Sequence, residues 1–404
     1  MLRYRRVYIA SELSSLNHPP MTSDADILII GGGLAGLTAG IHLAQHGLRV
    51  TLIEKHPYPQ HKVCGEYVSN EVLPYLEQLG IVFDDVAPSR IERFLFSTVA
   101  GKTIESRLPL GGFGISRYVF DAILYRKALA DGVLIVQDQV IDVQFKNDSF
   151  DATTLTGNTY TSKIVIGAYG KRSGLDKQLG RRFIEENSPW MGVKAHYRAS
   201  FPDDLVSLHH FEGGYCGLSQ VENNVVNACY LVSYNSFKKH KNVMAFQQQV
   251  LSQNPFLNEF FATAVPLFEK PLTISQISFA RKEPVEKHVL MCGDTAGVIH
   301  PLCGNGMAMA IHSARIVSEL IVQFFRKSIT SRADLEHRYL TSWNNAFKTR
   351  LTTGRIIQSL LQNATLSSAL MGSLQRMPAA LPLIIRRTHG RPMDKPLNDA
   401  ILSN

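Results

Sequence analysis

The chain has 404 residues, 45% of them hydrophobic and 19% charged; these values fit a packed globular protein and exclude a collagen-like or disordered one. That length suits two interleaved domains better than one small core. The net charge of +8 is concentrated at one end, since residues 326–404 carry 12 Lys/Arg against 4 Asp/Glu and the rest is near neutral.

Residues 1–23 read as a flexible N-terminal extension. They contain Arg3, Arg5 and Arg6 but no apolar run of signal-peptide length, and Met21 offers an alternative start. Asp26–Ile30 is a short apolar run ending in glycines, Leu34–His46 has helical spacing, and Arg49–Ile53 is a second β-type run. Strand, turn, helix and strand within about 30 residues make a βαβ unit with a parallel sheet. Ser116–Ala130 reads as a helix leading into a strand at Val133–Val140, and Lys163–Gly167 as a short buried strand. From Trp190 to Tyr234, β-rich runs broken at Gly213-Gly214 and Asn223-Asn224 predict an antiparallel sheet. His288–Met291 is another buried strand and Met307–Phe325 a long helix. The tail from Arg332 reads as helical until Pro378 and Pro382 interrupt it. Its most apolar stretch, Thr365–Ile385, contains Arg376 and two prolines and lacks the roughly 20 uninterrupted apolar residues of a bilayer helix.

Gly31-Gly32-Gly33-Leu34-Ala35-Gly36 places G-x-G-x-x-G between the first strand and the first helix. There Gly31 permits the turn, Gly33 lets a pyrophosphate approach the backbone, Gly36 lets helix and strand pack closely, and the helix N-terminus favours anions. Glu54 closes the second strand 18 residues after Gly36, near the spacing of the carboxylate that grips an adenosine ribose; Lys55 follows it. These features do not separate FAD from NAD. Met291-Cys292-Gly293-Asp294-Thr295-Ala296-Gly297 followed by Pro301-Leu302-Cys303-Gly304-Asn305-Gly306-Met307 does. A strand ending in Gly-Asp can set one carboxylate beside a flavin's polyol, and the Gly-x-Gly lets backbone lie against the flavin ring before a helix begins.

Together these motifs resemble the p-hydroxybenzoate-hydroxylase-like FAD superfamily over about residues 24–325. Within it, Lys62-Val63-Cys64-Gly65-Glu66 and Gly213-Gly214-Tyr215 look most like the geranylgeranyl-reductase-like branch. The resemblance implies that Gly31, Gly33, Gly36 and Glu54 hold the ADP half of FAD. It also implies that Asp294 binds the ribityl region, that Gly304–Met307 border the ring, and that Arg117 faces FAD. The competing reading of Arg117 is a salt bridge to Asp121 at i,i+4. The fold class implied is α/β. A Rossmann-type FAD domain (24–75, 115–172, 281–330) is interleaved with an antiparallel-sheet substrate domain (76–114, 173–280) and followed by a helical segment (331–404).

Two departures bear on chemistry. Hydroxylases of the superfamily usually carry an Asp-Gly pair where this chain has Tyr169-Gly170, which weakens the hydroxylase reading and leaves the donor open between NADPH and another external source. The halogenases' Trp-x-Trp-x-Ile-Pro run is absent; the two tryptophans are Trp190 and Trp343. Cys64 is a candidate for proton relay or substrate positioning, with a buried inert thiol as the equal alternative; Glu66 shares that ambiguity. His300 is the candidate histidine of the pocket, ahead of His209 and His210, with a structural hydrogen bond as its alternative. His42 and His46 lack the companion glutamate of a zinc helix, and the five cysteines form no ligand cluster, so no metal is expected.

The sequence therefore points to a FAD-dependent oxidoreductase in a reducing, cytoplasmic setting that acts on a hydrophobic small molecule. Hydride transfer from reduced FAD is the leading reaction, with an isolated alkene as one candidate acceptor by the resemblance to geranylgeranyl reductases. The rivals are a flavin monooxygenase acting on an aromatic or polyketide-like compound, and a flavin- or lipid-binding carrier. Nucleic acid is not an expected partner. The tail, with Leu360, Leu361, Leu366, Leu370, Leu374 and Arg386-Arg387, is read as packing, with peripheral membrane contact as the alternative.

Overall fold

The computed structural model describes residues 22–83, 85–362, 372–377 and 379–394. Leu366, Leu370 and Pro378 of the tail lie outside them, as do residues 1–21 of the expected extension. Thr22 and Ser23, expected in that extension, belong instead to the first sheet, where they pair with Thr159 and Tyr160.

The first sheet grows from the βαβ unit. Strand β1 (Thr22–Ile30) lies between β2 (Val50–Glu54) and β9 (Thr159–Gly167), parallel to both. Beyond β2 comes β6 (Leu134–Gln137), and beyond β9 come β17 (Val289–Met291) and β16 (Val285–Glu286). Ile27, Leu28 and Ile29 are fully buried, as a strand covered on both faces requires. The strand expected at Val133–Val140 is two strands. Asp138 accepts the Gln139 N–H and the Thr156 hydroxyl, the chain turns, and β7 (Val140–Lys146) pairs with β8 (Ser149–Thr154). Helices α1 (Leu34–Gln45), α2 (Arg117–Ala130) and α3 (Gly306–Phe325) cover this sheet. Helix α3 is long and apolar enough to cross a bilayer, yet 67% of its most apolar window is buried inside the protein, as in a core helix.

The second sheet runs β14 (Val265–Pro266), β10 (Trp190–Arg198), β13 (Val225–Ser233), β12 (Gly214–Gln220), β11 (Leu205–Phe211), β4 (Ser89–Ser97), β5 (Thr103–Gly114), β3 (Tyr67–Ser69), with β15 (Leu272–Ile274) also on β10. It is antiparallel except where β11 meets β4 in parallel. Tyr67–Ser69, expected with the nucleotide-binding segment, pairs here with β5. Side chains alternate: Val193, Ala195 and Tyr197 enter a core beneath the sheet. The opposite face, with Lys194, His196, Tyr215, Gly217, Cys229 and Leu231, turns towards the first domain's loops.

The described part of the tail holds a long helix, α4 (Arg332–Gln362), a helical stretch at 372–376, and α5 (Ala380–Thr388). Pro382, expected to interrupt, sits in the first turn of α5, where an absent N–H costs nothing. The inner face of α5, Leu381 and Ile385, packs on Tyr67, Ile91 and Leu108. Its outer face exposes Leu383, Arg386 and Arg387.

Candidate functional site

Gly31 and Gly36 of the first turn are required by contact. Gly31 has φ +104°, and a Cβ there would lie 2.5 Å from the Ala168 oxygen; on Gly36 it would lie 2.0 Å from the Gly31 oxygen. No side chain caps α1 and its first turn carries no acid, so its leading N–H groups are free to face an anion. Buried Glu54 accepts the N–H groups of Gly32 (2.7 Å) and His56 (3.0 Å), which fixes its carboxylate under the turn. Leu34 and Ala35 are buried, and Ala35 packs against Gly293. Lys55 is exposed. Tyr58, which sequence reasoning passed over, donates from its hydroxyl to the Gly32 carbonyl at 2.5 Å and stacks on Tyr125.

Arg117 makes the expected pair with Asp121 and stands beside the glycine turn. It pairs with Asp121 through two hydrogen bonds, 2.6 and 2.8 Å, and its Nη2 lies 3.7 Å from where a Cβ on Gly33 would stand. Lys62 adds a third cationic contact to the same carboxylate at 2.8 Å. Burial works against the Arg117 charge, and Asp121 more than compensates, so the guanidinium titrates above its ordinary range.

On the far side, Gly293 takes φ +62° and Asp294 ends the β17 loop with Lys171 3.3 Å away. Lys171 was not legible as a site residue, because its approach depends on stitching between separate loops. Gly170 donates its N–H to the Thr295 hydroxyl (2.8 Å), and the Lys282 ammonium donates to the carbonyls of Lys171 (2.7 Å) and Asp294 (2.9 Å). Burial lowers Lys282 to about 8. Tyr169 donates to Asp176 at 3.2 Å, inside a buried Asp176–Arg181 pair.

Of the run expected to border the ring, Pro301 is exposed, Gly304 takes φ +62°, Gly306 opens α3, and the Met307 side chain enters the core. The Asn305 side chain turns away from the loop's open side. It donates to Glu71 (3.4 Å) and to the Thr388 carbonyl (3.0 Å), while Glu71 also accepts from Arg350 (2.9 Å) and the Gly390 N–H. One buried carboxylate thus fastens the tail to this loop.

Cys64 is half-buried between these regions, within electrostatic reach of Arg117 and Lys171, and its sulfur accepts the Glu66 N–H at 3.5 Å. Its loop is strapped to the second sheet. Asn227 donates to the Cys64 carbonyl and Ser219 to the Gly65 carbonyl, each at 3.1 Å. Glu66, fully buried at φ +56°, accepts from the Lys194 ammonium, His196 Nε2 (2.7 Å) and the Arg117 N–H (2.7 Å). Burial raises its carboxyl, and Lys194 and His196 outweigh that, so it stands below the usual carboxylate range. Glu66 therefore joins the cysteine loop, the start of α2 and the second sheet.

Between these loops and the sheet, Gly217 and Cys229 in two central strands are partly exposed although both sequence neighbours of each are buried. Tyr215 and Leu231 on the same face continue into an apolar cluster with Phe96, Leu208 and Ile277, against which Trp190, Phe279 and Leu302 pack. His300 adjoins it, its ring 4.6 Å from Phe279 and 5.8 Å from Tyr215. His209 instead bonds Ser97 (2.8 Å) and stacks on Phe256. His42 bonds the Tyr75 hydroxyl, and no group of three metal-ligating side chains occurs among the described residues.

The turn, Glu54, the Arg117–Asp121 pair and the Gly293–Asp294 loop together fit a dinucleotide with a long polyol. The family described as FAD binding domain matches residues 24–329. The chain is 24% identical over 356 residues to conditioned medium factor receptor 1 of Dictyostelium discoideum, covering 80% of this chain and 68% of the relative. It is 25% identical to digeranylgeranylglycerophospholipid reductase 1 of Methanopyrus kandleri, covering 83% and 90%. With the FAD-dependent monooxygenase ntnA of a Nectria species it shares 24% identity over 83% of this chain but only 50% of that protein. The flavin-dependent brominase Bmp2 superposes with TM-score 0.76 at 18% identity, covering 91% and 93%. A geranylgeranyl bacteriochlorophyll reductase-like protein of Thermoplasma acidophilum gives 0.71 at 18%, covering 95% and 96%. At such identities these superpositions establish the fold alone.

Proposed function

We propose, on the premise that this chain belongs to the FAD binding domain family and is a FAD-dependent oxidoreductase, that it reduces a hydrophobic small molecule held over the second sheet. The observation that carries this reading is the partly open patch at Gly217 and Cys229, continuous with the apolar cluster and facing the loops that converge on Cys64. FAD, when bound, supplies the two-electron chemistry. The protein's part is orientation and exclusion of water. Gly33 lets the phosphates approach the backbone at the turn that Gly31 and Gly36 make possible, Glu54 takes the ribose, and Asp294 beside Lys171 takes the polyol. Arg117, held by Asp121, which also accepts from Lys62, lends positive charge beside the turn. The Glu66–Lys194–His196 group fixes the loop that carries Cys64 between cofactor and substrate. NADPH is the proposed electron donor.

The similarity to a FAD-dependent monooxygenase supports a second reading, hydroxylation. One experiment separates the two. FAD-loaded protein is incubated with NADPH and geranylgeraniol, without oxygen and then with isotopically labelled oxygen. Reduction gives a product heavier by two hydrogens without oxygen; hydroxylation needs oxygen and places the label in the product. No product from this or related polyprenyl and aromatic probes, with no NADPH consumed above background, contradicts both.

The outer face of α5 fits the same reading, since Leu383 flanked by Arg386 and Arg387 suits an anionic lipid surface from which such a substrate would come. Co-sedimentation with phosphatidylglycerol vesicles but not phosphatidylcholine vesicles is expected, and no pelleting at low salt removes this element.

A further inference from the structure

His300 sits where the Gly293–Asp294 loop runs into the Pro301–Gly304 turn. Its side chain is 3% exposed, and Nδ1 accepts the Leu302 N–H at 3.4 Å, capping the short turn that follows. With Nδ1 an acceptor, the ring proton belongs on Nε2. That Nε2 is buried and has no hydrogen-bond partner. The Tyr215 hydroxyl, on the neighbouring sheet face, is likewise buried with no hydrogen-bond partner; the Leu302 N–H that His300 accepts also acts on its oxygen, which leaves the hydroxyl proton unpaired. A buried donor left unpaired bears its full desolvation cost, so two in adjoining rings mark a place where a polar partner is wanted.

The surroundings restrict what that partner is. Trp190, Tyr215 and Phe279 enclose the imidazole, with ring centroids 6.5, 5.8 and 4.6 Å away. Ile274, Leu302 and Ile357 complete the apolar wall. Burial alone holds His300 down at about 3, with no charged group acting on it. Burial likewise dominates at Tyr215, followed by the thiols of Cys229, Cys303 and Cys216. The site offers two neutral hydroxyl and N–H donors and no cation, so it would desolvate a carboxylate or phosphate without compensation.

We infer that His300 Nε2 and the Tyr215 hydroxyl form the polar end of the substrate pocket and receive an uncharged oxygen on an otherwise apolar substrate. This rests on the pocket lying over the second sheet, as proposed above, and adds that the substrate is oxygenated, neutral and oriented through that oxygen. His300 and Tyr215 are thereby specificity-determining residues.

The test uses FAD-loaded protein and three matched probes, butyrophenone, butylbenzene and 4-butylbenzoate, with dissociation constants read by equilibrium dialysis and by perturbation of the flavin absorption band. The ketone is expected to bind about tenfold more tightly than the hydrocarbon, the equivalent of one net hydrogen bond, and the benzoate most weakly. His300→Phe and Tyr215→Phe should each reduce the ketone's advantage and leave hydrocarbon binding unchanged. His300→Gln, which keeps an N–H donor, should retain part of it. Unaltered flavin content shows that each variant is folded. Equal binding of ketone and hydrocarbon, tightest binding of the benzoate, or a preference that survives both Phe substitutions overturns the oxygen site alone. Failure of all three probes to bind the parent protein overturns the pocket itself.

Discussion

The two sides of the site are built on opposite principles. The cofactor side is shaped by backbone and charge: Gly31 and Gly36 stand where a Cβ would collide with neighbouring backbone, Arg117 and Lys62 pair with Asp121, and Lys171 pairs with Asp294. The sheet side is neutral and apolar, with small residues opening the floor at Gly217 and Cys229 and two unpaired polar atoms at one end. A phosphate-bearing cofactor needs the first kind of surface and an apolar reactant the second. The Glu66 group, the most deeply buried charge cluster of the two, lies at their seam.

The sharpest way to break the contrast is at Gly36. In Gly36→Val the new side chain would meet the Gly31 carbonyl, with Ile29 also in the way. Complete loss of bound flavin is expected, read as the ratio of 450 nm to 280 nm absorbance after reconstitution; retention would show that the turn is not the cofactor's seat. Next is the seam. Glu66→Gln leaves fully buried Lys194 without its anion, which should destabilise the protein by about 3–5 kcal/mol and lower Tm by several degrees. An unchanged Tm would show that the cluster is not a structural link.

Acid should separate the sides more gently. Burial holds His42, His300 and His312 near 3, well below their unfolded values. The unfolded chain therefore takes up their protons first, and stability should fall as pH drops below about 6.5, by about 1.4 kcal/mol per unit for each histidine. The lowered carboxyls of Asp121 and Glu66 contribute stability that is present above their unfolded values and lost at still lower pH. Denaturant titrations between pH 7 and 4 should show this slope, and a flat profile would contradict it. The smallest expected effect on the protein as a whole is that of Gly217→Phe. Filling the floor should weaken butylbenzene binding at least tenfold and leave flavin content intact; unchanged binding would move the pocket elsewhere.

The two sides also differ in how far the sequence revealed them. Gly31, Gly33, Gly36 and Glu54 lie within one βαβ unit, so local spacing was enough to bring them together. Asp294 was readable because its glycines demand a special backbone. Lys171 beside Asp294 and Lys194 beneath Glu66 were not, since the latter pair is 128 residues apart and meets only once the second sheet is assembled. Asn305 was legible as a loop residue, but the direction of its side chain was not, because Glu71 and Thr388 come from distant segments. Residues 133–140 read as one strand, whereas Asp138 makes a turn between two, a turn closed by Thr156 from a separate segment.

The central claim is that these loops hold FAD through Asp294. The most direct measurement is the visible spectrum of the purified protein beside Asp294→Ala, before and after adding NADPH without oxygen. The expected result is a yellow parent that bleaches with NADPH and a folded, colourless variant. A parent that stays colourless after reconstitution with FAD, or a variant with full flavin occupancy, would contradict it.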